Sequence, residues 1–338
     1  MIRLSSSSMQ LVIVSTALST SAASQAGDVE RLKLVQTIQL EGTEGRLDHF
    51  TLDVKGDRLF VTSLSNNSLD VVDLKAGRPV KQILKQGKIQ GVCYAPDLDR
   101  IFVGNGDDGV CNVFDGRTYK LLHTLKMPDA DNLRYNSETK LVYVGHAEHS
   151  LTAFDAKTCA VIATVNLPGQ SEAFQLDPAR SLAYVNTVRP SVVAVIDLAT
   201  HKLVAKYSPT SASDFYPMAL DCDRQRIFIG CRNPAVVLTL DAKTGLELGT
   251  TKIPSDIDDL FHDAKRKRLY ASCGEGFLAI LEERDGGRLE LVEKMPTAKL
   301  ARTCLFDPVS ERLFLGVPRQ PRTFGPEIRI FQTSSLRP

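Results

Sequence analysis

The chain of 338 residues contains no tryptophan, and all aromatic residues together make up only 7% of it. Neither charge sign is in excess: 41 Lys+Arg stand against 40 Asp+Glu. That balance gives no support to a polybasic nucleic-acid surface, and the scarcity of aromatics leaves no obvious base-stacking platform. Beyond the N-terminus there is no apolar run of about 18 residues, so no spanning helix is expected. Cysteine occurs seven times but never as Cys-x-x-Cys, so a zinc ribbon or a thioredoxin-like site has no support. Gly-x-Ser-x-Gly is missing, and Gly104-Asn105-Gly106 lacks the strand-to-helix setting of a phosphate loop. With 43% hydrophobic residues and little net charge, the chain is not a disordered one.

The first residues have a pattern of their own. Arg3 is the only charge before Asp28. The apolar stretch Leu11-Val12-Ile13-Val14-Ser15-Thr16-Ala17-Leu18 leads to small residues ending in Ser24-Gln25-Ala26. This is the order of a secretory signal peptide, and the stretch is too short to span a membrane. Residues 1–26 are therefore expected to direct export to the periplasm or the exterior. Residues 27–338 are expected to form one domain.

The rest of the chain is periodic. A basic or polar residue, an aliphatic, usually an aromatic, then a small or β-branched run recur as Arg58-Leu59-Phe60-Val61, Arg100-Ile101-Phe102-Val103 and Lys140-Leu141-Val142-Tyr143-Val144. The phrase returns as Ser181-Leu182-Ala183-Tyr184-Val185, Arg226-Ile227-Phe228-Ile229, Arg268-Leu269-Tyr270-Ala271 and Arg312-Leu313-Phe314-Leu315. Between the anchors Leu59, Ile101, Leu141, Leu182, Ile227, Leu269 and Leu313 the spacing stays between 40 and 45 residues. In the first unit, Phe50 to Leu52, Leu59 to Thr62, Leu69 to Leu74 and Val80 to Leu84 are β-rich and separated by turn residues. Four short strands in about 42 residues match a propeller blade. The fold expected is all-β: a seven-bladed β-propeller of four-stranded antiparallel blades. The last unit lacks a fourth strand, and the alternating segment at about 32–40 can supply it and close the ring.

These phrases resemble the YVTN-type, YncE-like seven-bladed propellers of exported bacterial proteins. The stretch Leu64-Ser65-Asn66-Asn67-Ser68-Leu69-Asp70-Val71-Val72-Asp73-Leu74 is close to that group's repeat signature. The resemblance spans roughly residues 33 to 332 and implies a fold rather than a function. A WD40 propeller is disfavoured, because no Trp-Asp dipeptide exists.

Several conspicuous residues have structural readings. Asp73, Asp115, Asp155, Asp197 and Asp241 each end a third strand, where a carboxylate accepts from turn amides. Lys265-Arg266-Lys267-Arg268 falls on a first hairpin turn and reads as solvated charge. Cys231 and Cys273 hold equivalent places on adjacent blades. A Cα separation below about 7 Å is not expected there, so buried free thiols are the reading.

Function in a repeat ring sits on residues that break the repeat. Counting nine to eleven residues back from each anchor gives Asp48-His49, Gln90-Gly91, Asp131-Asn132, Glu172-Ala173, Tyr216-Pro217, Asp258-Asp259 and Arg302-Thr303. The second-strand exits on the same face add Asn105, Asp107, Asp108, His146, Glu148, His149, Arg189, Arg232, Glu275 and Arg319. Asp57, Pro96-Asp97, Asp177-Pro178 and Asp307-Pro308, on the opposite face, read as turn formers. The candidate ligand-binding mouth is Asp48, His49, Gln90, Asp131, Asn132, Glu172, Tyr216, Asp258, Asp259 and Arg302. The first expectation is a binding module for a small ligand or an envelope protein, acting as a monomer. The alternative is a lactonase-like hydrolase, with Ca²⁺, Mg²⁺ or Zn²⁺ held by His49, Asp131, Asn132, Glu172 and Asp259. A structural role in a cell-envelope assembly is a third reading.

Overall fold

A computed structural model describes residues 31–146, 149–321 and 325–334. The expected signal peptide lies outside the described residues. Seven four-stranded antiparallel sheets stand around a central channel. Six are continuous in sequence, at residues 50–83, 89–126, 133–166, 170–207, 213–252 and 257–296. The seventh takes three strands from 303–333 and its outer strand from Leu32–Gln39, which pairs antiparallel with Glu327–Thr333. The ring is closed by the segment whose alternation suggested it, and the third strand of blade 7, Glu327–Thr333, is left no open outer edge. In blade 1 the strands are Phe50–Asp53, Arg58–Ser63, Ser68–Asp73 and Arg78–Ile83, within two residues of the sequence reading.

The aromatic of the recurring phrase explains how the blades dock without tryptophan. Phe60, Phe102, Tyr143, Tyr184, Phe228, Tyr270 and Phe314 all sit on second strands and are at most 1% exposed. The apolar core is divided into seven clusters, one at each blade boundary. The boundary of blades 2 and 3, for instance, brings Cys93, Phe102 and Cys111 against Val142, Val144 and Phe154. Burying one such ring contributes about 2–3 kcal/mol.

Two sets of register shifts shape the ring. In the outer half of every blade the pairing slips once, as between Val71 and Val72 or between Ile280 and Leu281. A bulge increases local twist, and its recurrence gives all blades the same propeller curvature. The second set falls on inner strands, between Ile89 and Val92, Ser171 and Phe174, Phe215 and Met218, and Ile257 and Asp259. These slips lie where the inner strands leave the mouth of the channel.

The repeated aspartates are turn clamps. Asp115, Asp155, Asp197 and Asp241 accept the backbone N–H and the hydroxyl of the Thr three residues on. Asp73 accepts from the Ala76 N–H at 2.7 Å. On the same face, away from the mouth, inner strands end in a second set, with Asp53, Asp221, Asp263 and Asp307 accepting from their hairpin amides.

The basic run at 265–268 needs correction. It is a hairpin turn, but it is not uniformly solvated. The Arg266 side chain is 2% exposed and pairs with Asp263 at 3.1 Å and with Glu311 at 2.5 Å. Arg268 pairs with Glu282 at 3.1 Å. Buried Asp263 on the strand that leads into the turn, with part-buried Glu311 and Glu282, draws these cations inward. All seven cysteines are free thiols, and only Cys222 is not buried. Among the described residues no helix is long and apolar enough to cross a membrane.

Candidate functional site

At one end of the channel the segments that lead into the inner strands converge on a polar cavity of about 180 Å³. Every blade contributes to it. Asp48 and His49 come from blade 1, Gln90 from blade 2, Asp131 and Asn132 from blade 3 and Glu172 from blade 4. Tyr216 and Arg232 come from blade 5, Asp258 from blade 6 and Arg302 from blade 7. The inner-strand slips have a purpose here. A bulged residue is left out of the ladder and re-aimed, and Gln90, Glu172, Tyr216 and Asp258 all fall within the slipped stretches. Gly91 allows the closest approach. A Cβ on it would stand 1.4 Å from the Asp131 carbonyl oxygen, so only glycine brings Gln90 beside Asp131.

The cavity is polarised. On one side three arginines surround Asp258. Arg302 Nε lies 2.9 Å from it, Arg46 Nη2 3.5 Å, and Arg232 Nη2 2.5 Å. Arg232 also donates to the Ile257 carbonyl, and its guanidinium lies 3.6 Å from the centre of the Tyr216 ring. Arg302 has a further partner in Asp256, at 2.6 Å.

On the other side lie His49, Asp48, Asp131 and Glu172. His49 Nε2 is 3.5 Å from Asp131, and its Nδ1 is 3.6 Å from Asp259. Burial pulls the imidazole pKa down, but hydrogen bonding to Asp131 and Asp259 outweighs it, leaving His49 well above its ordinary 6.5. Burial lifts Asp48 to about 7 against the pull of His49 and Arg46. Burial, then the charges of Asp131 and Asp258, lift Glu172 to about 8. Near neutral pH this wall therefore holds a protonated imidazole and a neutral Glu172. Gln90 Oε1, Asn132 Oδ1 and Arg46 Nε are buried with no hydrogen-bond partner among the described residues. Buried polar atoms ordinarily find partners, so these three leave hydrogen-bonding capacity unused on residues that line the cavity.

The sequence reading placed ten residues at this mouth. Nine line the cavity. Asp259 lies beneath it, with Oδ2 accepting from the Cys304 N–H and Oδ1 facing His49. Of the second-strand exits, Arg232 alone among the described residues reaches the cavity. Asn105 is buried against Gln86, His146 bonds Thr152, and Glu275 binds Ser255. Glu148 lies outside the described residues. Counting back from the anchors passed over Arg46, whose signal was a cation two residues before the Asp48-His49 pair.

The five residues considered for a metal are not drawn into one coordination sphere. The two ring nitrogens of His49 face different carboxylates, an arrangement that suits a protonated imidazole donating twice. Among the described residues the grouping with metal-like spacing is Asp221, His262 and Glu283, elsewhere in the ring. There Asp221 holds Arg224 at 3.0 Å, and Glu283 holds Arg226 at 2.8 Å and His262 at 2.9 Å. That trio is already balanced as an inter-blade ion network.

Known proteins match the chain weakly in sequence and well in shape. No family model matches. The uncharacterized protein YncE of Salmonella typhi is 27% identical over 111 residues, 32% of this chain and 31% of that protein. THO complex subunit 3 of Arabidopsis thaliana is 29% identical over 89 residues, 26% of this chain and 28% of that protein. Each alignment thus spans less than a third of the relative. Among solved structures, a chain of the Kuenenia stuttgartiensis hydrazine synthase superposes with a TM-score of 0.71 at 16% identity, over 82% of this chain and 95% of that one. U3-55K superposes with a TM-score of 0.76 at 12% identity, over 89% and 99%. Likeness at such identity establishes the propeller and nothing of its chemistry.

Proposed function

We propose that this chain is an exported binding module of the YncE-like, YVTN-repeat kind that takes a small zwitterionic or dicarboxylic ligand at the polar mouth. The observation that supports it best is the convergence of all seven blades on one cavity whose two walls differ in charge. Three guanidiniums share Asp258, with Asp256 and Asp48 as their other counter-charges, and their many N–H donors suit a further carboxylate. The wall of Asp48, Asp131 and Glu172 suits an ammonium or a second hydrogen-bonding head. A scaffold alone has no need of that division, and a rigid ring holds both walls at fixed separation. Export rests on the order of residues 1–26.

The test is a melting-temperature and calorimetric screen of the purified chain with glutamate, succinate and inorganic phosphate. A ligand present at about 100 times its dissociation constant adds about 2.7 kcal/mol, a readable shift. Glutamate or succinate is expected to raise the melting temperature, and Arg302→Leu to abolish the shift. No response to any of the three probes, or a response unchanged in Arg302→Leu, would overturn the proposal.

A further inference from the structure

Beneath His49 the channel widens into a second cavity of about 580 Å³. Pro96 and Pro308, from first-hairpin turns, line it, so it opens on the face opposite the polar mouth. His49 lines both cavities. The lower walls are of a different character: Leu52, Tyr94, Leu220, Phe261 and Leu305 come from five blades. Its volume is within the range of small-molecule sites, which are mostly apolar with a few placed polar groups.

One such group is Arg134, on the inner strand Leu133–Asn136 of blade 3. Leu133 beside it is buried, so alternation along the strand turns Arg134 to the channel. Nη1 donates to the Leu133 carbonyl at 2.8 Å, and the guanidinium lies 5.5 Å from the Phe174 ring centre. Among the described residues it makes no ion pair. Burial opposes its charge, and Asp259 and Asp131 act on it only as more distant charges. Asp259 is itself engaged by His49 and the Cys304 N–H. A guanidinium has five N–H donors in a planar fork, and most of those on Arg134 are uncommitted.

We infer that this chamber is a separate binding site for an apolar chain ending in a single carboxylate. Arg134 would hold the head group, and the ring of Leu52, Tyr94, Leu220, Phe261 and Leu305 would surround the tail. A planar carboxylate matches the fork bidentately. The single unpaired cation, with Asp259 near, favours a monoanion over a phosphate dianion.

The experiment is calorimetric titration of the purified chain with octanoate, octanamide and acetate. Octanoate is expected to bind saturably at one site, and octanamide and acetate at least tenfold more weakly, because each lacks one half of the recognition. Arg134→Leu is expected to weaken octanoate at least tenfold, with part of the affinity returning in Arg134→Lys. Should Arg134→Leu fail to fold, Leu220→Glu decides, since a charge in the path of the tail must abolish binding. Absence of saturable binding, equal affinity for octanamide, or affinity indifferent to these substitutions overturns the inference.

Discussion

Arg302 Nε stands 2.9 Å from Asp258 Oδ2, across the boundary between blades 6 and 7. The same carboxylate meets Arg232 of blade 5 and Arg46 of the segment that leads into blade 1. One anion thus joins the mouth segments of four blades, and its side chain is only 13% exposed.

Replacing that anion is expected to be costly. Asp258→Ala leaves three guanidiniums close together with Asp48 and Asp256 as their remaining counter-charges. Breaking a largely buried ion network by removing one partner destabilises by about 3 kcal/mol. Urea unfolding of the variant measures it. A loss below about 1 kcal/mol would mean that water already screens the cluster.

Stability should fall as pH rises through neutrality. A carboxyl whose pKa is raised in the folded state binds more protons there than in the unfolded chain, so rising pH favours unfolding. For Glu172 the window runs from its ordinary 4.5 to about 8, and for Asp48 from 3.8 to about 7. His49 has the same sign: its contribution is complete below 6.5 and is lost as pH passes its raised folded value. Melting temperature is therefore expected to decline between about pH 5 and pH 8, and Glu172→Gln to flatten the decline. A profile identical in the variant and the parent would show that Glu172 does not titrate in this window.

Arg266 and Lys265 make a paired comparison within one turn. Arg266→Ala removes the cation paired with Asp263, whose side chain is 2% exposed and keeps only the Tyr270 hydroxyl and the turn amide, and should cost about 3 kcal/mol. Lys265, with its side chain 58% exposed, pairs with the same Glu311, and its removal should stay within about 0.5 kcal/mol. Equal losses in denaturant unfolding would contradict the burial difference that separates them.

Much of this was legible before any coordinates. The recurring aromatic marked the second strands because a two-residue period and a blade period of about 42 residues both act locally. The turn aspartates were readable for the same reason, since their donors lie two or three residues away. Even the mouth could be counted out from the anchors, because equal blades place equal positions at equal heights around a ring.

Other features depended on what stands across the ring. Arg46 and Arg232 gain their meaning from Asp258: Arg232 meets it across one blade boundary, and Arg46 becomes its neighbour only when seven blades close. Asp259 follows Asp258 directly, yet the slip between Ile257 and Asp259 turns it beneath His49 rather than into the mouth. Arg134 is one cation in the short strand Leu133–Asn136, and only the channel shows that among the described residues it makes no ion pair. The sequence by itself determined the blades, their number, their closing strand and the height of the polar ring, all set by short-range periodicity. Only the tertiary structure decided which charges pair, which stay unpaired and where the channel divides, because those depend on distances across an axis that no single repeat contains.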